Sequence, residues 1–220
     1  KPGLIFAGGD FDFESYSEFK PDKDGIIPIT ENNYFEDDLT NRFVELVKYI
    51  YGKESLEENL GFIAKVLNEK YEDSRETIRN YFYKEFYKDH CRTYQKKPIY
   101  WMFNSGKNGA FKAIVYLHRY NRETIGTLRN EYLLELQSMY NFNGEEMEKQ
   151  IKEDKNLDKK DIKKMQKDIV KLNDYIEEIR KYDEKVHHYA DLKIELDLDD
   201  GVSVNYKKFM KNDEELLEKI

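Results

Sequence analysis

The sequence predicts an α+β protein that is predominantly helical: a helical body, a small antiparallel β-hairpin or sheet, and a long antiparallel helical hairpin resembling a coiled coil. Three observations predict it. Apolar residues recur three and four apart through residues 36–94, which is the spacing of one helix face. The stretch "IYWMFNSGKNGAFKAIVYLHRY" (99–120) alternates apolar and polar positions around an Asn- and Gly-rich turn, the pattern of a hairpin. From Asn121 about seventy residues keep helical periodicity with one charged interruption.

Taken in order, residues 3–29 are expected to form short strands joined by turns, the edge of a larger sheet. The chain opens at Lys1 without methionine, within an apparent strand, so a piece of a longer protein is expected. A first helix is predicted from about Glu36 to Tyr51, with Leu39, Phe43, Leu46, Val47 and Ile50 on one face and Gly52 ending it. Ser55 and Glu58 have the spacing of a capping box for a second helix, whose stripe is Leu56, Leu60, Ile63 and Leu67. Asp73 with Glu76 caps a third, buried through Ile78, Phe82 and Phe86, which is expected to run to about Tyr94, where "QKKP" stops it. The hairpin follows.

Beyond it, one helical arm carries Ile125, Leu128, Tyr132, Leu136 and Met139. The other carries a heptad seam through Ile162, Met165, Ile169, Leu172, Ile176 and Ile179, broken at Asp183 and resumed at Val186 and Ala190. "KIELDLDDGVSVNYKKF" is expected to return as a strand and turn before a C-terminal helix. The expected division is therefore a strand-rich leading segment (1–30), a helical body with the hairpin (31–121), the helical hairpin (122–192) and a closing segment (193–220).

Composition bounds the function. Of 220 residues 37 % are charged and 39 % hydrophobic, yet 18 Tyr and 13 Phe supply the bulk a disordered chain lacks. One cysteine excludes a disulfide framework or a thiolate zinc cluster and fits a reducing, cytoplasmic setting. No apolar run approaches the roughly 20 residues that span a bilayer, so no membrane partner is expected. The net charge of −8 hides an asymmetry: residues 74–129 hold twelve Lys/Arg and four acids, a local +8 against −16 for the remainder.

Chemical motifs fail on inspection. A P-loop needs G-x-x-x-x-G-K-[ST] followed by a helix; here Trp101 and Asn108 occupy two of the required positions, and a strand follows. "LDLDDG" misplaces the glycine and the final glutamate of a calcium loop. Asp183, His187 and Asp191 share a helix face, but one helix offers no closed metal site, and the expected arrangement is a histidine beside a carboxylate one turn away. No nucleophile has a His and Asp context, and no glycine-rich cofactor loop is present, so neither a catalytic residue nor a metal ligand is assigned.

The third predicted helix is different. Lys84, Lys88, Arg92 and Lys96 recur every four residues, a ridge of about 18 Å at 1.5 Å per residue, with Tyr83, Tyr87 and Tyr94 beside it. Such a ridge can track a duplex backbone. The alternative, a solvated face paired with the acidic remainder of the chain, stays open. With Arg75, Arg79, Lys97 and Arg119 it forms the candidate double-stranded DNA contact set, and Lys107 and Asn108 at the hairpin tip are the candidates for reading base edges.

The blocks "FEDDLTNRF" (35–43), "SRETIRNYFYKEFYKDH" (74–90), "RTYQKKPIYWMFNSGKNGAFKAIVYLHRYNRETIGTLRNEYL" beginning at Arg92, and "YDEKVHHYADLKIELDLDDGVSVNYKKF" (182–209) carry a resemblance. Together, and in order, they resemble the C-terminal region of the PglX-type adenine-specific DNA methyltransferases of BREX phage-defence systems, from about Ile26 to Phe209. The resemblance implies an N6-adenine methyltransferase using S-adenosylmethionine, through a glycine-rich cofactor motif and an Asn-Pro-Pro-aromatic motif. Neither is present: the four prolines stand at 2, 21, 28 and 98, and "FAGGDFDF" has adjacent glycines with no helix after it. No catalytic residue carries over, and no cofactor is expected to bind this segment. The resemblance implies a part beyond the catalytic domain, with DNA, the upstream methyltransferase domain and other defence subunits as expected partners. Two functions are expected in competition: DNA engagement or target recognition, and a scaffold that docks other subunits or braces the methyltransferase core.

Overall fold

The computed structural model describes residues 22–210 and 216–220. Most of the strand-rich segment expected at 1–30, including "FAGGDFDF", lies outside the described residues. The expected fold class holds: helices predominate around one small antiparallel sheet and a long helical hairpin. The described residues divide into two compact units, residues 22–23 with 29–89, and residues 24–28 with 90–210 and 216–220. These units are cut elsewhere than the four sequence segments, since the β-hairpin falls with the helical hairpin.

The first unit contains α1 (Leu39–Tyr51), α2 (Leu56–Leu67) and α3 (Ser74–Lys84). Asp38 caps α1 by accepting from the Asn41 amide at 2.8 Å, and Asp73 caps α3 by accepting from the Glu76 amide at 2.7 Å. Gly52 ends α1 at φ +84°, a conformation costly for a residue with a Cβ. The capping box expected at Ser55 and Glu58 does not form. The Ser55 hydroxyl instead donates to the Tyr51 carbonyl at 2.6 Å, using a free acceptor at the end of α1. The core joins Val47, Leu60, Ala64, Ile78 and Phe82, with the rings of Phe43 and Phe82 edge to face at 5.4 Å.

The helix expected to continue unbroken to Tyr94 is interrupted at Glu85, and α4 occupies Phe86–Thr93. Lys84 therefore closes α3 while Lys88 and Arg92 lie on α4, so the four-residue ridge does not run along one helix.

The second unit is built on a sheet of order β1-β3-β2, from β1 (Ile26–Pro28), β2 (Tyr100–Asn104) and β3 (Lys112–Tyr116). Trp101 pairs with Val115 and Phe103 with Ala113, the register that the alternation in the tryptophan stretch requires. Residues 216–218 line the outer edge of β2: the Glu218 amide donates to the Met102 carbonyl at 2.8 Å, and Phe103 bridges to Leu217. Trp101 and Phe103 meet Phe209 edge to face at 5.6 and 6.2 Å. The strand expected within 193–209 is absent. Instead a 3-10 turn at Leu198–Asp200 leads into α8 (Val202–Lys207), which carries Tyr206 and is followed at once by Phe209. Asn205, 2 % exposed, closes the turn by accepting from the Asp197 amide at 3.2 Å and donating to the Gly201 carbonyl at 3.1 Å.

The first arm of the helical hairpin runs from α5 (Thr124–Thr127) through a π-helical turn (Leu128–Leu133) into α6 (Leu134–Glu153). The π turn inserts one residue, so the neighbours Tyr132 and Leu133 are both buried and the apolar stripe shifts to Leu136 and Tyr140. The second arm is α7 (Lys159–Asp191), capped by Asp158. Its buried seam is Leu172, Tyr175, Ile179, Tyr182, Val186 and Tyr189, a strict three-four alternation. The seam expected through Ile176 and Ala190, broken at Asp183, is thus corrected: the tyrosines at seven-residue intervals are the core positions, and no break occurs. Asp183 lies beside the seam, where Arg129 of the first arm donates to both its oxygens at 2.7 and 2.9 Å.

The Tyr182 hydroxyl donates to the Leu216 carbonyl at 2.7 Å in a fully buried position, and burial pushes its pKa well up. Tyr182→Phe leaves that carbonyl unsatisfied and is expected to lower unfolding free energy by about 1–3 kcal/mol. Urea unfolding followed through Trp101 emission measures it; a loss under about 0.5 kcal/mol contradicts the placement of Tyr182 in the seam.

Candidate nucleic-acid interface

Three of the candidate cations, Arg75, Arg79 and Arg119, are placed by contacts within the fold. Arg75 on α3 grips Glu57 of α2 with two bonds of 2.8 and 2.6 Å. This pair holds the Arg75 pKa up and the Glu57 pKa down through its hydrogen bonds. The Arg79 side chain is only 11 % exposed and pairs with Asp38, while also donating to the carbonyls of Thr30 and Asn32 at 3.3 Å. It ties the segment before α1 to α3. Arg119 ends a 3-10 turn and is half-buried against Gly25, whose φ of +85° and 3.0 Å approach to the Arg119 Cβ leave no room for a side chain. These three arginines have structural work.

Lys84, Lys88, Arg92, Lys96, Lys97 and Lys107 are exposed. Lys88 and Arg92 stand one turn apart on α4. The helix then stops where "QKKP" was expected to stop it, through two consecutive non-glycine residues in the left-handed region, Gln95 at φ 50° and Lys96 at φ 62°. The Lys96 amide reaches back to the Cys91 carbonyl at 2.8 Å and the Lys97 amide to the Tyr94 carbonyl at 2.9 Å, closing the helix end. Left-handed backbone in residues with a Cβ costs on the order of 1 kcal/mol each. Here it holds two lysines side by side at the exposed end of α4.

The Gly-Lys turn between β2 and β3 does hold an anion, and the anion belongs to the protein. Glu178 of α7 accepts from the Ser105 hydroxyl at 2.6 Å and the Ala110 amide at 3.0 Å through Oε1, and from the Asn108 amide at 2.8 Å through Oε2. Ser105 accepts in turn from the Phe111 amide at 2.8 Å. Gly106 at φ +139° and Gly109 at φ +63° let the backbone curl its amides toward one carboxylate, the geometry of an anion nest. Lys112 beside it is partly buried. Burial lowers its pKa, and the charges of Glu218 and Glu178 partly restore it. Sequence reading found the turn and missed Glu178, since nothing in "EEIR" separates it from its acidic neighbours. The turn leaves Lys107 and Asn108 exposed, with its backbone engaged against α7.

The other sequence motifs resolve structurally. Asp183 is taken by Arg129, leaving His187 and Asp191 at 3.7 Å on the outer face. Among the described residues no group of three His, Cys, Asp or Glu is placed to hold a metal ion, and no helix is long and apolar enough to cross a membrane.

Glu178→Ala removes three charge-assisted acceptor contacts and is expected to cost about 1–3 kcal/mol of stability. The sharper readout is amide hydrogen exchange: Asn108 and Ala110 lose protection while the β2–β3 ladder keeps its own. Unchanged exchange at both amides contradicts the clasp.

No protein-family model matches the chain. Two curated relatives do. The chain is 46 % identical over 216 residues, 94 % of its length, to the adenine-specific methyltransferase PglX of Lacticaseibacillus casei (strain Zhang). It is 43 % identical over 201 residues, 89 % of its length, to the adenine-specific methyltransferase BrxX of Escherichia coli O9:H4 (strain HS). The alignments cover 17 % and 16 % of those proteins, so the chain spans about one sixth of the length of the relatives it matches. The resemblance carried by the sequence blocks therefore holds: along nearly its whole length this chain is similar to one segment of the adenine-specific methyltransferases PglX and BrxX.

Proposed function

We propose that this chain is a non-catalytic segment of an N6-adenine DNA methyltransferase of a phage-defence system, and that it engages duplex DNA. The observation that carries this reading is the strained exit of α4, which holds Lys96 and Lys97 together in solvent beyond Lys88 and Arg92. The exit turn closes α4 through its own amide bonds and leaves both lysine side chains in solvent, where a phosphate backbone can reach them. Arg75, Arg79 and Arg119 are each engaged by their own pairs and packing. Cofactor binding and methyl transfer belong to another part of the longer protein, because neither the cofactor motif nor an Asn-Pro-Pro-aromatic motif occurs here. Lys107 and Asn108, exposed at the hairpin tip, are the base-reading residues in this reading.

A scaffold function is the second reading, favoured by the far end of the helical hairpin. Phe142 and Val170 are 62 % and 61 % exposed there, and Ile162, Met165 and Ile169 are only half-buried.

Lys88→Gln with Arg92→Gln, measured by duplex binding across a salt series, is expected to lower the log–log salt slope by about 0.9 per lost phosphate contact. The loss should be equal on unrelated sequences, because phosphate contacts carry no base information. An unchanged slope contradicts phosphate contact by α4. In the full-length enzyme, Lys107→Ala with Asn108→Ala is expected to narrow discrimination between matched and mismatched sites by about 1–3 kcal/mol; full discrimination would make the tip a turn alone. Phe142→Ser that abolishes assembly with other defence subunits while methylation persists would favour the scaffold.

A further inference from the structure

The first half of α7 carries a second cationic surface, distinct from the residues considered above. Lys159, Lys160, Lys163, Lys164, Lys167 and Lys171 are all exposed. At 100° per residue they fall within an arc of about 140°. Between Lys159 and Lys171 that arc contains no acid, and its one other residue is the exposed Val170. Asp161 and Asp168 lie outside it. The apolar seam of Ile162, Met165, Ile169 and Leu172 is on the opposite side, so the lysines face away from α6.

The pairing differs along this one helix. In its second half Arg180 bonds Glu177 and Glu184 at 3.0 Å, and Lys181 bonds Glu177 at 3.2 Å. In the first half, Lys159, Lys160, Lys163, Lys164 and Lys167 hold no ion pair among the described residues. Lys171 lies over the Tyr175 ring at 5.3 Å. Four like-charged pairs stand at i, i+4 spacing (159/163, 160/164, 163/167 and 167/171), an arrangement that weakens a helix. The lysines also crowd toward the N-terminal end, where the helix dipole disfavours cations. A merely solvated face would intersperse acids, as the second half of α7 does.

We propose that this lysine face of α7 is a binding surface for the phosphate backbone of a nucleic-acid duplex. It is about 18 Å long at 1.5 Å per residue, against one backbone charge per roughly 1.7 Å of duplex axis. Flexible ammonium groups in two rows match a regular line of charge and need no fixed fork geometry. The surface carries no base-reading group, so it adds affinity without sequence preference. It shares no residue with α4 and stands or falls separately from the DNA contact proposed there.

The test uses the 220-residue chain and a random-sequence DNA duplex, with anisotropy measured across a salt series. Lys160→Gln, Lys164→Gln and Lys167→Gln are combined in one variant, whose helicity is checked by circular dichroism. The expected result is retained helicity, with a salt slope lower by up to about 2.7, since each lost contact removes about 0.9, equally on two unrelated duplexes. An unchanged slope overturns the proposal. So does loss of binding to phosphatidylserine vesicles or to polyglutamate with duplex binding intact. The α4 variant serves as comparator. If it alone loses slope, the α7 surface is wrong and the α4 contact stands; if the α7 variant alone loses slope, the reverse holds.

Discussion

One carboxylate joins the two main features of the larger unit. Glu178 lies on α7, and its oxygens take up the Ser105 hydroxyl and the Asn108 and Ala110 amides of the β2–β3 turn. A turn of this kind has inward-pointing amides that need an acceptor, and a helix surface acid has lone pairs that water satisfies cheaply. Bringing them together removes the turn as a site for an external phosphate and fixes the sheet against the helical hairpin. The contacts on either side follow from that placement. Phe111, next to the turn, packs on Tyr182 at 6.2 Å, and the Tyr140 hydroxyl donates to the Ala110 carbonyl at 2.9 Å. The seam tyrosines then close over Leu216 and Phe209.

The same comparison of paired and unpaired charge organises the surface. The chain is acidic overall at −8, so its cations have acids available nearly everywhere. Arg75, Arg79, Arg129 and Arg180 all use them. Arginine, with its planar fork, is the residue spent on internal carboxylates, as its bidentate geometry favours. Lys88 of α4, the two lysines of its exit turn and those of the first half of α7 reach solvent. Lysines also pair, at Lys152, Lys181 and Lys193, so it is position in the fold, and not residue type or charge counted along the sequence, that separates cations holding carboxylates from those left in solvent.

Much of the fold was legible because it rests on periodicity. The alternation around the tryptophan fixes the β2–β3 register, and Asp73 and Gly52 mark helix ends by their own chemistry, whereas α1 starts at Leu39 behind an Asp38 cap and not at Glu36. Errors arose where two periodic solutions coexist. Ile176 and Tyr175 both fit a heptad, and the choice of tyrosine follows from what lies opposite: Tyr140, with ring centroids at 5.5 Å. The break at Glu85 and the π turn at Leu128–Leu133 were illegible, since each is a one-residue adjustment imposed by packing. Ser55 shows the local rule losing to a better acceptor at the end of α1. At the candidate interface the exposed Lys84, Lys88, Lys96 and Lys97 were legible in the sequence. It could not reveal that Arg75 and Arg79 are claimed by Glu57 and Asp38, which lie 18 and 41 residues away. Nor did segment charge reveal the α7 face, because a sum over residues 145–171, which takes in the acids of α6, comes to only +1.

The central claim is that unpaired lysines on an acidic chain make it a duplex-binding segment. The most direct measurement is anisotropy of a labelled DNA duplex titrated with the unmodified 220-residue chain at a series of salt concentrations. The account predicts binding at about 50 mM salt that weakens steeply and linearly on log–log axes, with a slope reflecting several phosphate contacts. Absence of binding at that salt, or binding insensitive to salt, would contradict it.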